Sequence, residues 1–197
     1  IAFHSSRKPA GIYVMEATGE NVRPVVLSCH HPSWSPDGKE IVCSTAGQST
    51  PSTRNATPSA LWIADVETGA KRVLCQSDAM QPAWSPSGAR IAFWFMPPSA
   101  GRSDIATIPK GGGEIEIVTK DASTNWNPVW SPDGTCILFH RNRRNAIVDA
   151  NKAWAEQTPQ LLPAPGAVVD FVAWDWSPDG KKLIGTFPAS EVVYFSF

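Results

Sequence analysis

Four copies of one short pattern limit what this chain can fold into: Trp34-Ser35-Pro36-Asp37-Gly38, Trp84-Ser85-Pro86-Ser87-Gly88, Trp130-Ser131-Pro132-Asp133-Gly134 and Trp176-Ser177-Pro178-Asp179-Gly180. The tryptophans are 50, 46 and 46 residues apart, and seven residues after each an apolar segment opens, at Ile41, Ile91, Ile137 and Leu183. Spacing inside the unit is constant while spacing between units varies, as expected of a repeated structural unit. A period of this length in a strand-rich sequence points to propeller blades.

Each residue of the pattern has a physical role. The Trp closes one strand with a large ring. Pro then presets φ at the corner, and Gly takes the positive φ that lets the chain return as a second strand. Trp34, Trp84, Trp130 and Trp176 are therefore expected to be structural and buried between neighbouring units, with Gly38, Gly88, Gly134 and Gly180 closing the turns. The alternative, a metal-ligand role for the fourth turn residue, is weakened because each copy lies in a separate unit.

Taken in order, the chain divides into five units, about 1–28, 29–76, 77–120, 121–165 and 166–197, all in one domain. Residues 1–4, Ile-Ala-Phe-His, match Ile91-Ala-Phe-Trp and Ile137-Leu-Phe-His, so the first unit begins at its second strand. The three central units each hold four strands, and the fifth holds the first three. The expected fold is an all-β propeller of four-stranded antiparallel blades, three complete and two incomplete, forming part of a larger ring. No window shows sustained helical periodicity. Open strand edges at both ends invite self-association.

Other features narrow the function. A net charge of −1 argues against strong attraction to nucleic acid, and no run of 18 apolar residues spans a membrane. Arg141, Arg143 and Arg144 lack interleaved aromatics and read as a solvated loop. Gly111-Gly112-Gly113 precedes a strand pattern and reads as a turn, not a phosphate cradle. The Ala46–Ser59 segment reads as an exposed loop, and its Asn55-Ala56-Thr57 triplet as an unmodified one. Cys29, Cys43, Cys75 and Cys136 show no Cys-x-x-Cys spacing and are expected as unpaired thiols, which fits a cytoplasmic protein. A Cys29–Cys75 disulfide is the alternative for an exported one.

The repeat Pro-x-Trp-Ser-Pro-Asp-Gly-x-x-Ile-x-Phe resembles the WD40-like PD40 repeat of TolB-like β-propellers. Pro32 to Val42, Pro82 to Phe93 and Pro128 to Phe139 carry it almost completely. The last copy departs, with Trp174 in place of Pro and Gly185 in place of Phe. The resemblance implies a partner-binding domain, periplasmic or otherwise extracytoplasmic, in a bacterial protein. It also covers sensor-like domains of receptor kinases and regulators, which Asp104-Ile105 and Asn125-Trp126-Asn127-Pro128 resemble most, and the propeller lids of hydrolases.

Propellers of this kind bind at the face opposite the Ser-Pro-Asp-Gly turns. His31, Gln81 and Asn127 precede the Pro of three copies, and Ala173 takes that place in the fourth. These three, with neighbouring His30 and Trp126, are the candidate binding residues at the rim of the central channel. Adjacent strand residues face opposite ways, so only one of His30 and His31 should reach a shared site. No carboxylate is placed to complete a metal site, and no Gly-x-Ser-x-Gly or Ser/His/Asp set is recognisable. The expectation is a non-enzymatic module for a protein or peptide partner, with no cofactor. The alternative is the propeller domain of a larger hydrolase or metal-dependent lyase.

Overall fold

The computed structural model describes residues 1–47, 50–51, 57–97, 101–163, 171–186 and 192–196, the last group by backbone alone. Half of the Ala46–Ser59 loop, including Asn55 and Ala56 of the triplet, lies outside these residues. Among the described residues, eighteen strands form five antiparallel sheets and no α-helix occurs. The first sheet holds β1 (Ala2–Ser5), β2 (Gly11–Val14) and β3 (Arg23–Leu27). The second holds β4 (His30–Trp34), β5 (Glu40–Ser44), β6 (Leu61–Asp65) and β7 (Lys71–Cys75). The third holds β8 (Ala79–Trp84), β9 (Arg90–Phe95), β10 (Asp104–Pro109) and β11 (Glu116–Ile117). The fourth holds β12 (Asn125–Trp130), β13 (Cys136–Arg141), β14 (Arg144–Asp149) and β15 (Gln160–Leu161). The fifth holds β16 (Val172–Trp176), β17 (Lys182–Thr186) and β18 (Val192–Ser196).

Strands run in sequence order from the inside outward. The second strands β5, β9 and β13 are buried on both faces, which is why they read as continuous apolar runs. In β9, Ile91, Phe93 and Phe95 pack with Val42, Leu61 and Ile63 of the second sheet. Ala92, between them, packs the other way with Ile137 and Phe139 of the fourth. The core is thus a series of layers between neighbouring sheets.

The repeat tryptophans sit in these layers. Trp84 and Trp130 are 7% and 8% exposed, while Trp34 and Trp176 are half-buried against their clusters. The indole N–H of Trp130 donates to the Ala83 carbonyl of the preceding sheet at 3.1 Å. The turns interlock as well. A Cβ on Gly134 would lie 3.7 Å from Pro86, and one on Gly88 3.6 Å from Pro36, so each glycine packs against the proline of the blade before it. Gly38, Gly88, Gly134 and Gly180 all have φ near +70°.

Inside the turn, the Ser35 hydroxyl donates to Asp37 Oδ1 at 2.6 Å, and the N–H groups of Lys39 and Glu40 donate to Asp37 Oδ1 and Ser35 Oγ. Ser131–Asp133 and Ser177–Asp179 repeat the arrangement. The serine hydroxyls in these bonds hold the carboxyls of Asp37, Asp133 and Asp179 below the ordinary carboxylate range. In the third unit Ser87 takes over with longer contacts, 3.2 Å to Ser85 and 3.4 Å to the Ala89 N–H.

One expectation needs correction. Arg141 and Arg144 do not belong to a free loop: they pair across a two-residue turn at Asn142-Arg143, where both residues have positive φ. Arg141 holds Asp121 at 2.5 Å, and Arg144 donates to the Leu162 carbonyl. The cysteines match the expectation of unpaired thiols, and the alternative Cys29–Cys75 disulfide is not present. All four cysteines are free, and Cys29 lies instead beside Cys43, whose hydrogen bond to Cys29 raises the Cys43 thiol. Cys75 belongs to the next interface, its thiol donating to the Ser77 carbonyl. The Gly111–Gly113 segment does lie in the connection between β10 and β11, with Gly112 and Gly113 at positive φ.

Candidate functional site

The inner strands begin two or three residues earlier than the Pro-x-Trp pattern implies, because each runs through a β-bulge. The register shifts between His30 and Ser33, Met80 and Ala83, and Trp126 and Val129. Pro32, Pro82 and Pro128 have no N–H to give the ladder, and a bulge is where a strand tolerates that loss. The residue before each proline takes the left-handed backbone: φ is 51° at His31, 48° at Gln81 and 55° at Asn127. Asn and His visit this region more readily than most residues, so the sequence suits the geometry at two of the three positions. In β16 the shift falls between Ala173 and Asp175, at Trp174.

β4, β8, β12 and β16 line one cavity of about 480 Å³. His31, Gln81 and Asn127 meet there, as their repeat positions suggest, while His30 and Trp126 are not in its lining. His30 stacks on His4 at 4.3 Å, and Trp126 packs edge-on against His140 at 4.9 Å. One histidine of the adjacent pair therefore reaches the channel. The cause is the bulge and not simple alternation, since the two rings still lie 6.4 Å apart.

The three polar residues are less solvated than the sequence suggests. Gln81 and Asn127 are 5% and 6% exposed, and His31 is half-buried. Asn127 Nδ2 donates to the Ala173 carbonyl at 2.6 Å, tying β12 to β16. A second cross-tie runs from the Trp84 N–H to Ser33 Oγ at 2.9 Å, joining β8 to β4. His31 Nδ1 lies 3.1 Å from Ser44 Oγ, and the Ser44 hydroxyl lies 2.9 Å from the Ala46 carbonyl it can donate to. Burial, with smaller contributions from His30 and His4, pushes His31 down to about 4 and leaves it neutral at pH 7. Burial and His4 also lower His30. No group of three or more His, Cys, Asp or Glu among the described residues is disposed to hold a metal ion.

The remaining wall is formed by Trp174, Asp175 and Trp176. Trp174 is 38% exposed, and its indole N–H donates to Thr186 Oγ1 at 2.9 Å. Asp175 Oδ1 accepts the Trp176 N–H at 2.8 Å. Asp175 is reachable by solvent, yet the channel walls strip part of its hydration and push its carboxyl up. Reasoning from the repeat passes over these residues because the polar positions are sought in register with His31, where this copy carries Ala173. The signal was the departure of Trp174 from the proline of the other copies.

The profile of the TolB beta propeller domain matches residues 2–186. Two curated relatives cover parts of the chain. An uncharacterized protein of Agrobacterium fabrum is 33% identical over 108 residues, 55% of this chain and 34% of that protein. An uncharacterized peptidase of Bacillus subtilis, YuxL, is 27% identical over 117 residues, 57% of this chain and 17% of the peptidase. The matches thus span about a third or less of either relative. Among solved structures, a putative TolB from Agrobacterium tumefaciens superposes with a TM-score of 0.74 at 21% identity, over 100% of this chain and 70% of that one. TolB from Acinetobacter baumannii superposes with a TM-score of 0.73 at 19% identity, over 98% of this chain and 48% of that one.

Proposed function

The chain belongs to the TolB β-propeller domain family, and from that premise we propose that it is a non-enzymatic binding module whose channel receives a protein or peptide segment. The observation that carries this reading is the convergence of four inner strands on one cavity lined by both polar and aromatic side chains. A pocket of several hundred Å³ with a few placed polar groups on apolar walls is the usual form of a recognition site. The cross-ties between inner strands hold that geometry before any ligand arrives, which lowers the cost of binding.

The test removes the three bulge side chains without straining the backbone. Glycine adopts positive φ freely, so His31→Gly, Gln81→Gly and Asn127→Gly together keep the bulges. A partner captured by the parent chain should bind this variant more weakly by over about 1 kcal/mol. An alanine triple at Lys39, Lys110 and Lys181, on the turn side, should bind as the parent does. If the turn-side variant loses affinity and the channel variant does not, binding occurs on the opposite face.

A second reading rests on the Bacillus subtilis peptidase, of which the matched segment is a small part. Here the chain would be the propeller of a larger hydrolase and its channel a passage for peptide substrate. An intact reading frame that encodes a hydrolase domain beside this one would favour it.

A further inference from the structure

We propose that the channel takes a basic side chain of a peptide, the ammonium of a lysine or the guanidinium of an arginine, at Asp175 on the wall formed by Trp174 and Trp176. This rests on the binding-module reading and names the chemistry of its partner. Three of the four inner strands present a proline at one repeat position, Pro32, Pro82 and Pro128; the fourth presents the indole of Trp174. The bulge at that residue breaks strand alternation, so Trp174, Asp175 and Trp176 all line the cavity. Its hydrogen bond to Thr186 fixes the Trp174 ring before a ligand arrives.

Asp175 is the only carboxylate in this lining among the described residues, and no lysine or arginine stands with it. The other titratable residue there, His31, is neutral at pH 7. The channel therefore carries one negative charge. The Trp176 N–H is the only hydrogen bond to Asp175 among the described residues, which leaves most of its acceptor capacity for a ligand. Partial desolvation already penalises this charge, as its raised carboxyl shows, and a cation is the group that repays the penalty. Indole faces beside a carboxylate suit the same cation through the ring quadrupole.

The experiment selects random linear peptides on the immobilised chain. Selected peptides should share a lysine or arginine. Replacing that residue by norleucine in a synthetic selected peptide should weaken binding about tenfold, and so should Asp175→Asn in the chain. The two changes together should cost little more than either alone, because both remove the same contact. Trp174→Pro, which gives this wall the residue of the other three, should also weaken the basic peptide and leave its norleucine counterpart unchanged. The norleucine comparison holds even where a chain variant folds poorly. Peptides that depend on His31, Gln81 and Asn127 yet share no basic residue and ignore Asp175→Asn would overturn this proposal and leave the binding module standing. Peptides insensitive to every channel variant would overturn both. Displacement of a selected peptide by micromolar spermidine would make a free polyamine the ligand and also overturn it.

Discussion

Replacing Trp130 by alanine is expected to cost about 3–5 kcal/mol of folding stability. The ring is 8% exposed and packs in the layer of Ala92, Ile105, Ile137 and Phe139, so its removal opens a cavity between two sheets. It also leaves the Ala83 carbonyl without the indole hydrogen bond across the interface. Such a void cannot easily collapse, because the sheets are held apart by their other contacts. Urea unfolding followed by tryptophan emission would measure the loss. Trp174→Ala serves as the control, since that ring is exposed and belongs to none of the interface layers. A Trp130→Ala chain that melts within a degree or two of the parent would mean that the blades do not pack on these rings.

The second large effect is a loss of stability in mild acid that centres on His31. Its folded value, about 4, lies below the ordinary 6.5 because burial disfavours the charged ring. The unfolded chain therefore binds a proton that the folded chain refuses between those two values. Stability from this group is complete above about 6.5 and is lost as pH falls toward 4, by on the order of 2–3 kcal/mol. His31→Asn removes the titration while keeping a residue suited to the left-handed backbone, as Asn127 shows one blade pair away. Unfolding free energies at pH 7.5 and pH 4 should differ by that much less in the variant. The turn aspartates act in the same direction at lower pH, but both proteins carry them, so their contribution cancels. Equal pH dependence in the two proteins would show that His31 is not buried in its neutral form.

How much of this was legible in the sequence depends on what each residue answers to. The Trp-Ser-Pro-Asp-Gly turns obey local rules of backbone geometry, and strands β5, β9, β13 and β17 follow from them at fixed distance. The convergence of His31, Gln81 and Asn127 follows from repeat symmetry alone. Their burial did not, because it depends on contacts between blades, such as the Asn127 bond to Ala173. The bulges were hidden for a related reason: proline reads as a strand breaker, and only the pairing shows that β4, β8 and β12 continue through it. Arg141 and Arg144 looked free because their partners, Asp121 and Leu162, lie 20 and 18 residues away.

The departures in the last copy carry their own reasons. Gly185 stands where the repeat has Phe because space there is already filled. A Cβ would lie 2.2 Å from the Val172 carbonyl and 2.6 Å from the Phe171 ring, which supplies the missing bulk from the neighbouring segment. Trp174 has no such packing role, as its exposure indicates, and that is what draws attention to it as a contact residue.

Photocrosslinking tests most directly whether ligands enter the channel. A benzoylphenylalanine placed at Trp174 stands on the channel wall, and one placed at Val73, on the outermost strand of its sheet, faces away from it. Irradiation with a selected peptide, or with any partner captured by the chain, should yield a crosslinked product from position 174 and none from position 73. Product from position 73 alone would place binding on the outer edge of the ring and contradict the account.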